Sequence, residues 1–280
     1  MKLNEQTKML ITLALTEDIG KRDITTSLIV DSKLKGIATI VAKTNGIICG
    51  IETVKYICRT FDKRIKIEPF VNDGDVVTAN QTIAELNGNY ASILTIERTM
   101  LNFMQRMSGI ATAANEFVKK LSGTKTVLLD TRKTAPGHRH LDKYAVKIGG
   151  GTNHRIGLFD MILIKENHIT AAGSITEAVK KAMMQKQNKL LIEVETTNLE
   201  EVKEALLCGV DIIMLDNMSL SSMKKAVRLI NGKCKVEASG GITLNNARKI
   251  AFTGVDFISV GAVTHSVKAL DIAMYIILKT

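Results

Sequence analysis

From Lys125 onward, a short apolar run followed by an amphipathic segment recurs along the chain. The apolar runs are TVLLD, MILIK, LLIEVE, DIIMLD, KVEASGG and FISVG. Between them lie AAGSITEAVKKAMMQKQN, NLEEVKEALLCG, SLSSMKKAVRLING and TLNNARKIAFTG, amphipathic at helical spacing and mostly closed by Gly or Asn. Strand then helix with short links means parallel strands joined by crossover helices. Six strands is one short of seven and two short of a regular eight-stranded barrel. A barrel and a doubly wound open sheet both satisfy the pattern, and periodicity does not separate them.

The first hundred or so residues have a different texture. Leu3, Leu10, Ile11, Ala14 and Leu15 share one helix face that ends near Gly20. GIATIVAKTNGIICGI, from Gly36 to Ile51, alternates and holds an Asn-Gly turn, which predicts a β-hairpin. A helix is expected from Ile51 to Phe61, then two or three short strands within KIEPFVNDGDVVTANQTIAEL. A long helix is expected from Ile93 to near Leu121, burying Met100, Phe103, Met104, Met107, Ile110, Ala111 and Ala114. Those methionines read as core filling rather than metal ligands. Together these elements predict a compact α+β unit.

Bulk properties exclude several classes. An apolar share of 45% with 24% charged residues belongs to a globular chain, not a disordered one. No apolar run has the length of a membrane span. The N-terminal stretch carries charges and lacks a small-residue cleavage site, so it reads as part of the fold rather than a secretory signal. Cys49, Cys58, Cys208 and Cys234 form no CxxC pair and are expected as buried free thiols of a cytoplasmic protein. His138, His140 and His168 lack metal-ligand spacing, and no zinc site is expected. The net charge of +10 favours anionic partners, but 4% aromatic residues and no dense basic run argue against nucleic acid.

The strand ends carry the chemistry. They read Asp130-Thr131-Arg132-Lys133, Lys165, Glu195, Asp216, Ser239-Gly240-Gly241 and Gly261. Ligands of parallel α/β folds bind at the carboxyl ends of the strands, so these residues are expected to converge. Arg132, Lys133, His154, Arg155 and Lys165 form a cationic set suited to a multiply anionic substrate. Glu195 and Asp216 suit sugar hydroxyls or a magnesium ion brought by a pyrophosphate. Glu193 lies on the same strand face as Glu195, and Glu195, nearer the carboxyl end, is preferred. His154, within GGGTNHR, reads as lining a mobile loop. ASGGIT and SVGAVT offer unobstructed backbone N–H groups leading into helices, which predicts a phosphate cradle.

The segment DTRKTAPGHRHLDKYAVKIGGGTNHRIGLFDMILIKENHI closely resembles the signature of the quinolinate phosphoribosyltransferase family, also called carboxylating nicotinate-nucleotide pyrophosphorylases. The likeness continues through EDIGKRDITT, ERTMLNFMQRMSGIAT, IEVETTNLEE, DIIMLDNMS, EASGGIT and ISVGAVTHS, nearly the whole chain in order. This resemblance implies an N-terminal α/β sandwich over 1–105 and an open, incomplete parallel barrel of six to seven strands over 106–280, with a C-terminal helix free to pack back on the sandwich. It implies phosphoribosyl transfer from phosphoribosyl pyrophosphate to quinolinate with decarboxylation, with magnesium carried on the pyrophosphate substrate near Glu195 and Asp216. It further implies a homodimer with a shared active site, reached by Arg98 of the partner, with a hexamer as a larger alternative. Thr131, Arg132, Lys133, His154, Arg155 and Lys165 would hold quinolinate and pyrophosphate, and Glu195 and Asp216 would face the ribose. Lys133, Lys165, Glu195 and Asp216 form the expected catalytic set. Ser239, Gly240, Gly241, Val260, Gly261 and Ala262 would bind the 5′-phosphate. Arg22 stands where the family usually has Gly, and Ala135 where it usually has a second Thr; neither replaces a charged ligand.

Other readings stay open at this point. A nicotinate phosphoribosyltransferase would bind a monocarboxylate and need fewer cations. A relative associated with molybdenum transport would have a degraded basic signature, whereas TRK and NHR are intact here. A nucleic-acid-binding module would show a steep salt dependence.

Overall fold

The computed structural model describes residues 2–185 and 190–279. The tail of the predicted helical segment AAGSITEAVKKAMMQKQN, residues 186–188, lies outside the described residues. The chain opens with α1 (Glu5–Ile19), α2 (Ile24–Ile29), β1 (Lys35–Ala42), β2 (Gly46–Ile47) and α3 (Ile51–Phe61). Next come β3 (Lys66–Pro69), β4 (Val76–Val77), β5 (Thr82–Asn89), α4 (Tyr90–Leu121), β6 (Val127–Leu129) and α5 (Arg139–Ile148). Then β7 (Ile162–Ile164), α6 (Glu166–Ala172), α7 (Ile175–Gln185), β8 (Ile192–Thr196) and α8 (Leu199–Leu207) follow. The chain closes with β9 (Ile212–Asp216), α9 (Leu220–Ile230), β10 (Lys235–Ser239), α10 (Ala247–Ala251), β11 (Phe257–Ser259), α11 (Ala262–His265) and β12 (Ile272–Leu278).

Two compact units result, each built from more than one stretch of chain. The first takes Met1–Ala114, Thr134–Gly150 and Thr264–Thr280; the second takes Asn115–Lys133 and Gly151–Val263.

In the first unit an antiparallel sheet has the order β12-β1-β5-β3. β1 alternates between buried and half-buried residues, as a sheet with one covered face requires. Two expectations fail here. The Gly36–Ile51 hairpin does not form, because β1 pairs with β12 and β5 while β2 pairs with β4. The physical reason is that α4 satisfies the second arm of that segment. Ile47 N–H donates to Thr112 Oγ1 at 2.9 Å and Cys49 N–H to Ser108 Oγ at 2.9 Å. The C-terminal element is a strand rather than a helix. Its β-branched Ile272, Ile276 and Ile277 suit a pleated ladder, which runs from Gly36↔Leu278 to Ala42↔Ile272.

The buried face of α4 within this unit is the expected one, from Ile93 through Met100, Met104, Met107 and Ile110 to Ala114. Gly109 interrupts it for a steric reason. A Cβ there would sit 2.3 Å from the Lys268 carbonyl oxygen, so backbone meets helix directly. Gly109→Ala is therefore expected to destabilise the protein by about 1–3 kcal/mol, the cost of overpacking a filled site. Urea unfolding with an unchanged slope and a lower midpoint would report it. Opposite α4, Asp142 is wholly buried and takes a two-pronged bond from Arg106 at 2.9 and 2.7 Å. Asp142 Oδ2 also accepts from Ala135 N–H at 3.2 Å, so the turn where Ala135 departs from the family pattern is held through its backbone.

All four cysteines are free thiols, but only Cys49 and Cys58 are buried. Cys208 and Cys234 are partly exposed because they sit at the end of α8 and just before β10. Burial pushes the Cys58 thiol up to about 12.

The second unit contains all six expected strands, parallel, in the order β6-β11-β10-β9-β8-β7. That order resolves the ambiguity left by periodicity. A doubly wound sheet reverses direction at a switch point, whereas here each strand from β7 to β11 neighbours its successor and β11 returns to β6. This is the order of a barrel opened between β6 and β7. Among the described residues, the free side of β6 carries an isolated parallel bridge from Leu129 to Thr152.

Candidate active site

Parallel strands bring their carboxyl ends to one rim. β6 runs into Asp130–Lys133 and β7 into Lys165; Glu195 is the penultimate residue of β8, and Asp216 closes β9. Ser239 closes β10 opposite Asp216, and Val260, Gly261 and Ala262 follow β11. Register sets Ile164 against Val194, which puts Lys165 beside Glu195; its Nζ donates to Glu195 Oε2 at 2.8 Å. Lys165 is also the N-cap of α6, and its N–H donates to His168 Nδ1 at 2.9 Å. His168 thereby caps a helix. Asp216 Oδ2 accepts from Asn217 Nδ2 at 2.8 Å. Asn217 has a left-handed φ of 52°, and its N–H reaches Ser239 O at 2.9 Å, which ties the ends of β9 and β10 together.

Arg132 and Arg155 lie close enough for their charges to act on each other. Arg132 and Lys133 are exposed, and Lys133 N–H donates to Thr131 Oγ1 at 3.0 Å. Arg155 is only 9% exposed, with Nη1 donating to Met161 O at 3.3 Å. Burial, and then the charge on Arg132, both lower the pKa of its guanidinium. An anion bound between the two would relieve that repulsion.

Beneath the rim lies a cluster whose members sequence reasoning misplaced or missed. His154 does not line a mobile loop. Its backbone N–H donates to Asp130 Oδ1 at 2.9 Å and the neighbouring Asn153 Nδ2 to Asp130 Oδ2 at 2.6 Å. The His154 ring is just as fixed. Arg155 N–H donates to Nδ1 at 2.8 Å, and Nε2 lies 2.9 Å from Glu193 Oε2 and 3.5 Å from Glu237 Oε2. Glu193 and Glu237 are both fully buried, and Glu193 Oε1 and both oxygens of Glu237 have no hydrogen-bond partner.

Protons must be shared here, since two bare carboxylates in the interior would be very costly. Burial opposes charge on His154, while Glu193 and Glu237 favour it and draw a proton into the cluster. Burial also raises Glu193, to about 7. A doubly protonated ring would, however, place a hydrogen on Nδ1 against the Arg155 N–H. The geometry decides for a ring protonated on Nε2 only, with the extra proton held by the carboxyl pair. The available signal was strand parity. Glu193 shares a face with Glu195, and Glu237 shares one with Ser239, so both side chains point the same way as residues assigned to the site.

The last two turns provide backbone rather than long helices. Gly240 and Gly241 take φ of 87° and 59° in succession. Asn246 braces the turn, donating from Nδ2 to Gly241 O at 2.9 Å and accepting Thr243 N–H at 2.8 Å. The helix expected straight after ASGGIT begins only at Ala247, because the Asn246 side chain caps a tight turn first; α11 does start directly after Gly261 but spans four residues. Arg98 belongs to the first unit, where its side chain is 60% exposed and 3.8 Å from Glu97.

Hard oxygen donors are available for a magnesium ion. Glu195 and Asp216 each have one oxygen engaged, by Lys165 and Asn217, and the second oxygen has no hydrogen bond among the described residues. That donor set fits Mg2+, which prefers one or two carboxylates together with substrate phosphates.

Residues 23–108 match the family described as quinolinate phosphoribosyl transferase, N-terminal domain, and residues 110–275 match its C-terminal domain. The mitochondrial quinolinate phosphoribosyltransferase (decarboxylating) 2b of Nicotiana tabacum is 46% identical over 288 residues, covering 96% of this chain and 82% of its own. A probable nicotinate-nucleotide pyrophosphorylase (carboxylating) of Bacillus subtilis is 44% identical over 269 residues, covering 96% of this chain and 93% of its own. The solved nicotinate-nucleotide pyrophosphorylase of Francisella tularensis superposes with a TM-score of 0.95 at 47% identity, covering 99% of this chain and 98% of that one. The chain belongs to the quinolinate phosphoribosyl transferase family.

Proposed function

We propose that this protein transfers the phosphoribosyl group of phosphoribosyl pyrophosphate to quinolinate with loss of carbon dioxide, producing nicotinate mononucleotide and pyrophosphate for NAD biosynthesis. The observation that carries this reading is the juxtaposition of Arg132 and the buried Arg155 in the unit that also pairs Lys165 with Glu195. Two mutually repelling guanidiniums suit a dicarboxylate; a monocarboxylate needs fewer cations.

In this reading Thr131, Arg132, Lys133, His154, Arg155 and Lys165 serve the quinolinate and pyrophosphate side. The described ring bonds of His154 give it the part of fixing Arg155. Glu195 and Asp216 take the ribose hydroxyls, and Ser239, Gly240, Gly241, Val260, Gly261 and Ala262 the 5′-phosphate. Magnesium, brought on the pyrophosphate substrate and lying near Glu195 and Asp216, supplies neutralising charge when bound. Lys133 and Lys165 stabilise charge that develops as pyrophosphate leaves ribose C1 through an oxocarbenium-like state. The quinolinate nitrogen then bonds to C1; the adjacent ring N+ stabilises by its charge the electron pair left on C2 as the 2-carboxylate departs as carbon dioxide, and C2 takes a proton from solvent. Arg132 and Arg155 hold substrate and do not act as bases, because arginine keeps its proton.

A homodimer with Arg98 reaching the partner's site completes the reading, with a hexamer as a larger assembly. Met9, Leu13, Ile24, Leu28 and Ile29 on α1 and α2 are exposed and offer the apolar surface such an interface needs. We place the protein in the cytoplasm. Among the described residues no helix is long and apolar enough to cross a membrane.

Purified protein with magnesium and phosphoribosyl pyrophosphate is expected to turn over quinolinate and to leave nicotinate, offered at the same concentration, unconverted. Equal turnover of the two acids would reject the dicarboxylate reading.

A further inference from the structure

Glu193 and Glu237 are given no part in the chemistry above, yet they are fully buried on two strands separated by β9, and three of their four carboxylate oxygens lack a partner. Such groups are kept in an interior only where something compensates for them. We propose that Glu193 and Glu237 are positioning residues that act through His154, locking its ring in the one orientation that pins the Arg155 backbone and so aims the Arg155 side chain at substrate. This rests on the proposed reaction.

The ring is a bridge with two directed ends. Nε2–H donates into the carboxyl pair, and Nδ1 receives the Arg155 N–H. Turning the ring over would set carbon atoms against Glu193 and against the Arg155 N–H, losing both bonds at once. Asp130 holds the same turn from the other side, through the His154 N–H and the Asn153 amide. The Arg155 backbone therefore inherits its place from strands β6, β8 and β10, while its guanidinium also reaches Met161 O within its own loop. Ligand atoms of His154, Glu193 and Glu237 lie within 4.8 Å of one another, close enough for a cation. Ligation at Nε2 would require moving its proton to Nδ1 and breaking the Arg155 bond, so the geometry selects a proton bridge over a metal.

The test compares Glu193→Gln, Glu193→Leu and Glu237→Leu in steady-state kinetics. Glutamine keeps a carbonyl acceptor for Nε2–H and is expected to leave KM for quinolinate within about 3-fold of the parent. Leucine at 193 is expected to raise that KM by about 10-fold or more while kcat changes by less than about 3-fold. Leucine at 237, which loses only the 3.5 Å contact, should raise KM by about 3-fold. Indistinguishable KM values for Glu193→Gln and Glu193→Leu overturn the inference. Should the leucine variants not fold, the imidazole 15N spectrum of the parent protein decides. A proton on Nε2 and a bare Nδ1 for His154 at neutral pH support the bridge, and protons on both nitrogens refute it. A parent protein that makes no nicotinate mononucleotide would instead sink the functional reading, leaving the ring spectrum to judge the geometry by itself.

Discussion

Lys165→Ala is expected to lower kcat/KM for nicotinate mononucleotide formation by about 100- to 1,000-fold, the usual cost of removing one fixed charge from the site of developing negative charge. Folding should survive the change. Lys165 is 47% exposed at its side chain, and its 2.8 Å bond to Glu195 is a partly solvated pair, a class worth at most about 1 kcal/mol. The loss therefore falls on chemistry. Removing the ammonium deprives the leaving pyrophosphate of a cation and frees Glu195, only 16% exposed, to repel the anions it normally faces with its charge offset. Lys165→Arg is expected to recover only part of the rate, because a planar fork does not reproduce a point charge. Stopped-time product assays with a melting curve for each variant separate the two contributions. An alanine variant with parental kcat/KM would remove Lys165 from the catalytic set.

Gly240→Ala should raise KM for phosphoribosyl pyrophosphate by about 10- to 100-fold, from roughly 1–3 kcal/mol of strain delivered to one loop. Gly240 has φ of 87°, which disfavours any side chain, and an added Cβ would lie 2.2 Å from Asn217 Oδ1. Asn217 has little freedom to yield. It is itself left-handed, its amide holds Asp216 at 2.8 Å, and its N–H is bonded to Ser239 O. The clash thus passes from the phosphate turn to the carboxylate proposed for the ribose. Gly241→Ala is the matched comparison: φ is 59°, but nothing lies within 4 Å of the added carbon. It should cost less. Equal effects at the two positions would show that backbone strain alone, not the Asn217 contact, governs the loop.

Much of the second unit was legible because parallel strands are covered on both faces and read as continuous apolar runs such as DIIMLD and FISVG. Their endings could be read for the same reason, since Lys165 and Asp216 interrupt those runs abruptly. Pairing partners were not legible. Alternation in Gly36–Ile51 marked a strand correctly but could not reveal that Ser108 and Thr112 compete for its second half. Nor could local pattern show that the C-terminal residues return to pair with β1. The interior carboxylates were the hardest. A charge in a strand normally belongs to the solvent face, so nothing in the sequence singles out Glu237, and nearness to the strand end favours Glu195 over Glu193. The fold distinguishes the fully buried Glu193, facing His154, from Glu195, facing Lys165.

Decarboxylating transfer is tested most directly with quinolinate carrying 13C in its 2-carboxylate, mixed with phosphoribosyl pyrophosphate, magnesium and the purified protein. All of the label is expected to leave as carbon dioxide, one equivalent for each nicotinate mononucleotide and each pyrophosphate formed. Label retained in the nucleotide, or pyrophosphate released without carbon dioxide, would contradict it.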